Sequence, residues 1–290
     1  MPERPSSYKV EVIDAIFSAR WDSASQSIAD SLVTLSDVSE GIRKYNAAHP
    51  EQSKPISDRN PANFFKDIIR KRANHMWPAR ILALGYTGKQ VTGRNACFRF
   101  VPLRDGQTEP FPSHVPDPTD ATPRIKISSV SMPLASRRLG RSDESWLIQV
   151  AIRLHIIDTH LGLFSQRKII QVDHLQTAVK LGQNEIDAIL LATEEAGAGQ
   201  SPRESIVCCE AKSMNEQVIE EQIIGHVASV FQSLPGTWNT AIPICVKTIA
   251  RSAIRVLEFE AVERENAAEL VQLTLVSDAI YELVPPVPGI

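Results

Sequence analysis

Three charged residues at the edges of apolar segments could do chemistry together. Asp187 lies in Asn184-Glu185-Ile186-Asp187-Ala188-Ile189-Leu190-Leu191, and Glu210 and Lys212 lie in Ile206-Val207-Cys208-Cys209-Glu210-Ala211-Lys212. Side chains alternate across a strand with period two, so Glu185 shares a face with Asp187, and Glu210 shares one with Lys212. The two runs have strand length and are joined by a Gly- and Pro-containing loop, 194–203, so the two acidic ends are expected to meet across a hairpin. Carboxylates flanking a buried sheet are costly unless paired or bound to a cation, and oxygen donors of this kind suit a hard divalent ion such as Mg2+.

The flanking sequence supplies elements to position these groups. Leu147, Val150, Ala151, Leu154, Ile157 and Leu161 recur at three- and four-residue steps, one face of a helix that starts at Ser142 or Asp143. Segments 168–172, 186–192 and 206–211 read as strands. Ser213-x-x-Glu216 has the form of a capping box ahead of Ile219, Ile223, Val227, Val230, Phe231 and Leu234, a second amphipathic helix. Segments 242–248 and 254–259 add two strands. Helix, three strands, helix, strand, strand predicts an α/β domain with a central mixed sheet flanked by helices.

Asp187 followed by Glu210-Ala211-Lys212, at strand ends between two amphipathic helices, resembles the PD-(D/E)xK nuclease superfamily, which includes many type II restriction endonucleases and Holliday-junction and RecB-like nucleases. The resemblance covers roughly residues 143–248, and Ile186 replaces the proline of the formal motif. It implies a restriction-endonuclease-like core in which Asp187 and Glu210 coordinate Mg2+, with the Ala211 carbonyl as a further ligand. Lys212 would then orient and help deprotonate the attacking water, and hydrolysis would leave a 5′-phosphate and a 3′-hydroxyl. Glu185 is a candidate additional ligand, or a structural acid. Gln222, ten residues beyond Lys212, is a candidate site residue, and His226 stands where RecB-like nucleases carry an aromatic. Glu144 corresponds loosely to an acid used by some relatives, and equally fits a helix-dipole partner.

Residues 41–104 hold 13 basic against three acidic residues, although the whole chain has a net charge of -3. Such an asymmetry suits a polyanion. Asn60-Pro61 opens an expected helix through about His75 carrying Lys66, Arg70, Lys71 and Arg72, after an earlier helix over 38–47. Short β-like runs at 80–84 and 96–101, with Lys89 and Arg94 between them, complete an arrangement like a winged helix-turn-helix. These six cations are the candidate DNA contacts. The expected organisation is a mainly helical, winged-helix-like DNA-binding region over 1–102, a proline-rich linker over 103–124 and a nuclease domain over 125–290.

The four cysteines lack C-x-x-C spacing and read as buried thiols. No Walker A loop, G-x-G-x-x-G, G-x-S-x-G or H-E-x-x-H occurs, so no nucleotide cofactor is expected. No apolar run approaches membrane length, and the start Met1-Pro2-Glu3-Arg4-Pro5 lacks a signal-peptide core, so a cytoplasmic protein with no membrane partner is expected. Double-stranded DNA is the expected partner. Cutting a palindrome would require two active sites, hence a homodimer. The alternatives are a repair or recombination nuclease of the same fold, a non-catalytic DNA-binding protein, or an α/β enzyme of unrelated chemistry.

Overall fold

A computed structural model describes residues 7–52, 54–70, 73–91, 95–112, 115–182, 184–195, 201–234, 236–270 and 272–290. Lys71, Arg72 and Arg94 lie outside the described residues. The chain divides into two compact units, Met1–Ser113 and His114–Ile290.

The first unit opens with α1 (Tyr8–Ser18), a helix that the sequence reading did not anticipate. A two-stranded ribbon, β1 (Trp21–Asp22) with β2 (Ser27–Ile28), leads to β3 (Leu32–Thr34). Helix α2 (Leu35–Ala48) begins at Thr34, whose hydroxyl caps Asp37 N–H while the Asp37 carboxylate accepts the Thr34 N–H. Helix α3 (Ala62–Arg70) buries Phe64, Phe65 and Ile68 and ends before the expected His75. Residues 80–84 are not a strand. Ala79–Ala83 forms the short helix α4 behind Pro78, because Ala-Arg-Ile-Leu-Ala consists largely of good helix formers and buries only Ile81. The strand falls later, as β4 (Tyr86–Gln90), antiparallel to β5 (Ala96–Pro102). The sheet order is β3–β5–β4. Its core is aromatic: Phe65 stacks on Phe98 at 4.6 Å, with Trp77, Phe100 and Phe111 around them.

The second unit is α/β, with one large mixed sheet flanked by helices. Its elements are β6 (Arg124–Ser128), α5 (Leu134–Arg138), α6 (Glu144–Arg153), α7 (Ile156–Phe164), β7 (Ile169–Leu181), β8 (Asn184–Glu194), β9 (Arg203–Lys212), α8 (Glu220–Ser233), β10 (Thr240–Ala250), β11 (Ala253–Phe259), β12 (Val262–Glu263) and β13 (Leu275–Val284). The strand order is β6–β13–β11–β10–β9–β8–β7, and β12 pairs with the start of β10. The β9–β10 and β13–β6 pairs are parallel, and the others are antiparallel.

Helices α6 and α7 cover one face, where Leu147, Val150, Ile157 and Leu161 pack on Leu190, Val207, Cys209 and Ile244. Helix α8 covers the other through Val227, Val230 and Phe231 against Ile189, Ile206 and Cys208, and through Ile223 against Cys245 and Leu257. Burial on both faces explains why β9 reads as an unbroken apolar run. The single helix expected over 147–161 is two. His155 takes a left-handed conformation (φ 53°), and α6 and α7 meet at a 63° bend that lets both lie on the twisted sheet. Among the described residues, no single helix is long and apolar enough to cross a membrane. All four cysteines are buried free thiols.

Candidate active site

The pairing of β8 with β9 runs from Glu194–Arg203 to Ala188–Cys209. One step beyond the last pair, Asp187 lies opposite Glu210, and a side chain takes over from the main-chain ladder. Asp187 Oδ2 accepts the Ala211 N–H at 2.7 Å. That bond fixes the carboxyl beside Glu210. Even-numbered residues of β9 face α8, so Glu210 and Lys212 follow Ile206 and Cys208 onto that side.

Glu210 and Lys212 are each only 1% exposed. Lys212 Nζ donates to Glu210 Oε1, and to Glu144 Oε1 at 2.8 Å. Glu144 opens α6, whose start is capped by Asp143 Oδ1 accepting the Trp146 N–H at 2.8 Å. Glu144 lies in the first turn of that helix and closes the charge cluster around Lys212. From the other side, α8 is tied to the start of β8 by Asn184 Nδ2, which donates to Gly225 O at 3.1 Å and Ser229 Oγ at 2.7 Å. A Cβ at Gly225 would sit 3.4 Å from the Asn184 amide, in van der Waals contact with it. His226, 1% exposed, is thereby held with Nε2 3.5 Å from Glu210 Oε2.

The electrostatics follow from burial. Glu210 is pushed up to about 8 by desolvation and by the neighbouring Asp187, against the pull of Lys212. Burial also raises Asp187, opposed by its hydrogen bond from Ala211. For Lys212 burial disfavours the charge, but Glu210 and Glu144 more than offset it and hold the ammonium above its ordinary value. His226 is pushed down to about 4 by burial and by Lys212, so it is neutral near pH 7.

The donor chemistry fits a hard divalent cation. Glu210 Oε2 is buried with no hydrogen-bond partner, His226 Nε2 standing 3.5 Å away. Among the described residues no three His, Cys, Asp or Glu side chains form a metal cage. The groups that could hold such an ion are the two carboxylates of Asp187 and Glu210, with the Ala211 carbonyl as the further oxygen that the sequence resemblance implies.

Of the other sequence candidates, Glu185 is exposed and is the cross-strand register partner of Lys180. Gln222 is half-buried on α8, one turn before His226. Lys66, Arg70 and Lys89 are half-buried in the first unit. Ser213 donates to Glu216 Oε2 through both its N–H and, at 2.7 Å, its Oγ, while the Glu216 N–H donates to the Ser213 carbonyl, so the pair closes a turn, and α8 starts only at Glu220. The interactions of Glu144 with Lys212 and of His226 with Glu210 join separate elements. Ala178 of β7, opposite Asp187 by register, is also left-handed (φ 51°), a conformation for which an alanine gives no sequence signal. No family model, curated protein or solved structure matches this chain.

Proposed function

We propose that the chain is a Mg2+-dependent deoxyribonuclease that hydrolyses phosphodiester bonds in double-stranded DNA, acting as a type II restriction endonuclease. The carrying observation is the convergence of Asp187, Glu210 and Lys212 at the point where β8 and β9 part, with one buried Glu210 oxygen unpartnered. In this reading the second unit is a restriction-endonuclease-like core. Mg2+ held by Asp187, Glu210 and the Ala211 carbonyl would supply Lewis-acid stabilisation of charge on the phosphoryl oxygens. Lys212, whose proton is held by two carboxylates, donates hydrogen bonds to the attacking water and steadies the charge that develops on it, rather than taking its proton. Neutral His226 and α8 fix the Glu210 carboxyl from behind.

The first unit supports a DNA-gripping role. In this reading the unit is a winged helix elaborated by the β1–β2 ribbon and α4; what supports it is the helix pair α2 and α3 beside the three-stranded sheet β3–β5–β4, with Lys66 and Arg70 one turn apart on α3. The test is incubation of the purified chain with phage DNA and Mg2+. Discrete fragments support restriction, a smear supports nonspecific cutting, and intact DNA refutes the nuclease reading. Asp187→Asn should lose more than about 100-fold in cleavage rate while binding duplex as before. Undiminished cleavage by that variant would remove Asp187 from the site.

A further inference from the structure

The row of charge on the α8 side of the sheet continues beyond Lys212. In the parallel pairing of β9 with β10, Lys247 is the register partner of Lys212, and in the antiparallel pairing of β10 with β11 it is the partner of Arg255. Register partners point to the same face, so three cations stand side by side on adjacent strands about 4.8 Å apart. Their compensation differs. Lys212 lies between Glu210 and Glu144. Arg255 donates to Asp278 Oδ2 through Nε at 2.8 Å and Nη2 at 2.5 Å, and to Pro116 O through Nη1 at 2.7 Å. Lys247 donates only to the main-chain carbonyl of Glu216.

Among the described residues no carboxylate lies within ion-pair distance of Lys247. The Asp117 and Glu216 carboxyls act on it from farther off, and the Glu216 carboxyl is turned onto Ser213. Burial together with the Arg255 charge disfavours its ammonium there. A half-buried, uncompensated cation beside the cluster, at the carboxyl ends of a parallel strand pair, calls for an anion from outside the protein.

We propose that Lys247 is a positioning residue that holds a phosphate of the DNA strand neighbouring the one attacked, and so sets the scissile phosphate over Asp187, Glu210 and Lys212. This rests on the nuclease reading. The competing role is purely structural, with Lys247 fastening the turn at Glu216.

The test uses the full chain. Lys247→Gln keeps an amide donor for the Glu216 carbonyl, and Lys247→Arg keeps the charge. Placed on an Asp187→Asn background, Lys247→Gln should weaken duplex binding about 10-fold and make log Kd against log salt shallower by about 0.9, with Lys247→Arg restoring both. In the otherwise unaltered chain, kcat/KM should fall about 10- to 100-fold for Lys247→Gln. A folded Lys247→Gln chain with an unchanged salt slope overturns the proposal, because fastening a turn has no counterion signature. Without any substitution, bound duplex should protect Lys247 from amine acetylation, and an unprotected Lys247 overturns the proposal as well. If the native chain binds duplex but never cuts it, the nuclease reading fails, while the slope and the protection still decide whether Lys247 meets phosphate.

Discussion

Glu210→Gln should stabilise the metal-free protein while destroying its activity. In the unfolded chain the Glu210 carboxyl titrates near its ordinary 4.5, and in the fold burial moves it to about 8. The folded state therefore binds the extra proton, and stability contributed by this group is full below about pH 4.5 and is lost as pH rises through about 8. At about 1.4 kcal/mol per pH unit, the loss reaches roughly 3 kcal/mol at pH 7 and approaches 5 above pH 8. Asp187 is raised too, so its effect has the same sign. Lys212 does not oppose it, because a lysine held above its ordinary value does not titrate in this window. Glutamine is nearly isosteric, offers its carbonyl to Lys212 and carries no charge to desolvate. Urea unfolding of both chains without metal should give equal stabilities near pH 4.5 and a gap in favour of Glu210→Gln that widens to about 2–4 kcal/mol at pH 8. Mg2+ at a hundred times its Kd should return about 2.7 kcal/mol to the native chain alone. If Glu210→Gln is no more stable than the native chain at pH 8, with parallel pH profiles, the buried-carboxylate reasoning is wrong.

Replacing Lys66, Arg70, Lys71 and Arg72 together by Ala should weaken duplex binding and lower the salt slope by up to about 3.6; an unchanged slope takes this segment out of the interface. Gly88→Ala should destabilise the first unit by about 1–3 kcal/mol, because a Cβ there would come within 2.7 Å of the Phe65 ring and 2.9 Å of Trp77. Thermal unfolding checks this, and a neutral result would mean that the aromatic core yields more readily than its packing indicates.

The meeting of Asp187 with Glu210 was legible in the sequence because β8 and β9 are buried and consecutive, so apolar runs mark both and a short loop fixes their antiparallel pairing. Edge and long-range features were not. β7 runs for 13 residues where only its start was expected, because an edge strand that is mostly exposed carries no apolar pattern. β6 pairs with β13 across more than half the chain, and neither strand announces the other. The break at His155 and the displaced start of α8 are local backbone choices imposed by packing on the sheet, which override the helical period and the capping box. Glu144 stands 68 residues before Lys212, so only the fold could reveal their contact.

On the nuclease reading proposed above, the assembled groups would favour a divalent cation over a monovalent one at this place. Asp187, Glu210 and Glu144 set three carboxyls around the single ammonium of Lys212, and His226 is neutral. Full ionisation leaves two negative charges uncompensated, in a pocket where two of the three carboxyls have raised proton affinity. Protons can fill that deficit, and this is the state in which Glu210 rises to about 8. A dication fills it as well, and in doing so must displace the Glu210 proton, so its affinity grows with pH until Glu210 ionises unaided. Partly exposed and set in the first turn of α6, Glu144 accepts from the Lys212 ammonium at 2.8 Å and favours its charge together with Glu210. On that reading Lys212, whose charge Glu210 and Glu144 both favour, would stand as an ammonium beside the carboxyls, available to the attacking oxygen.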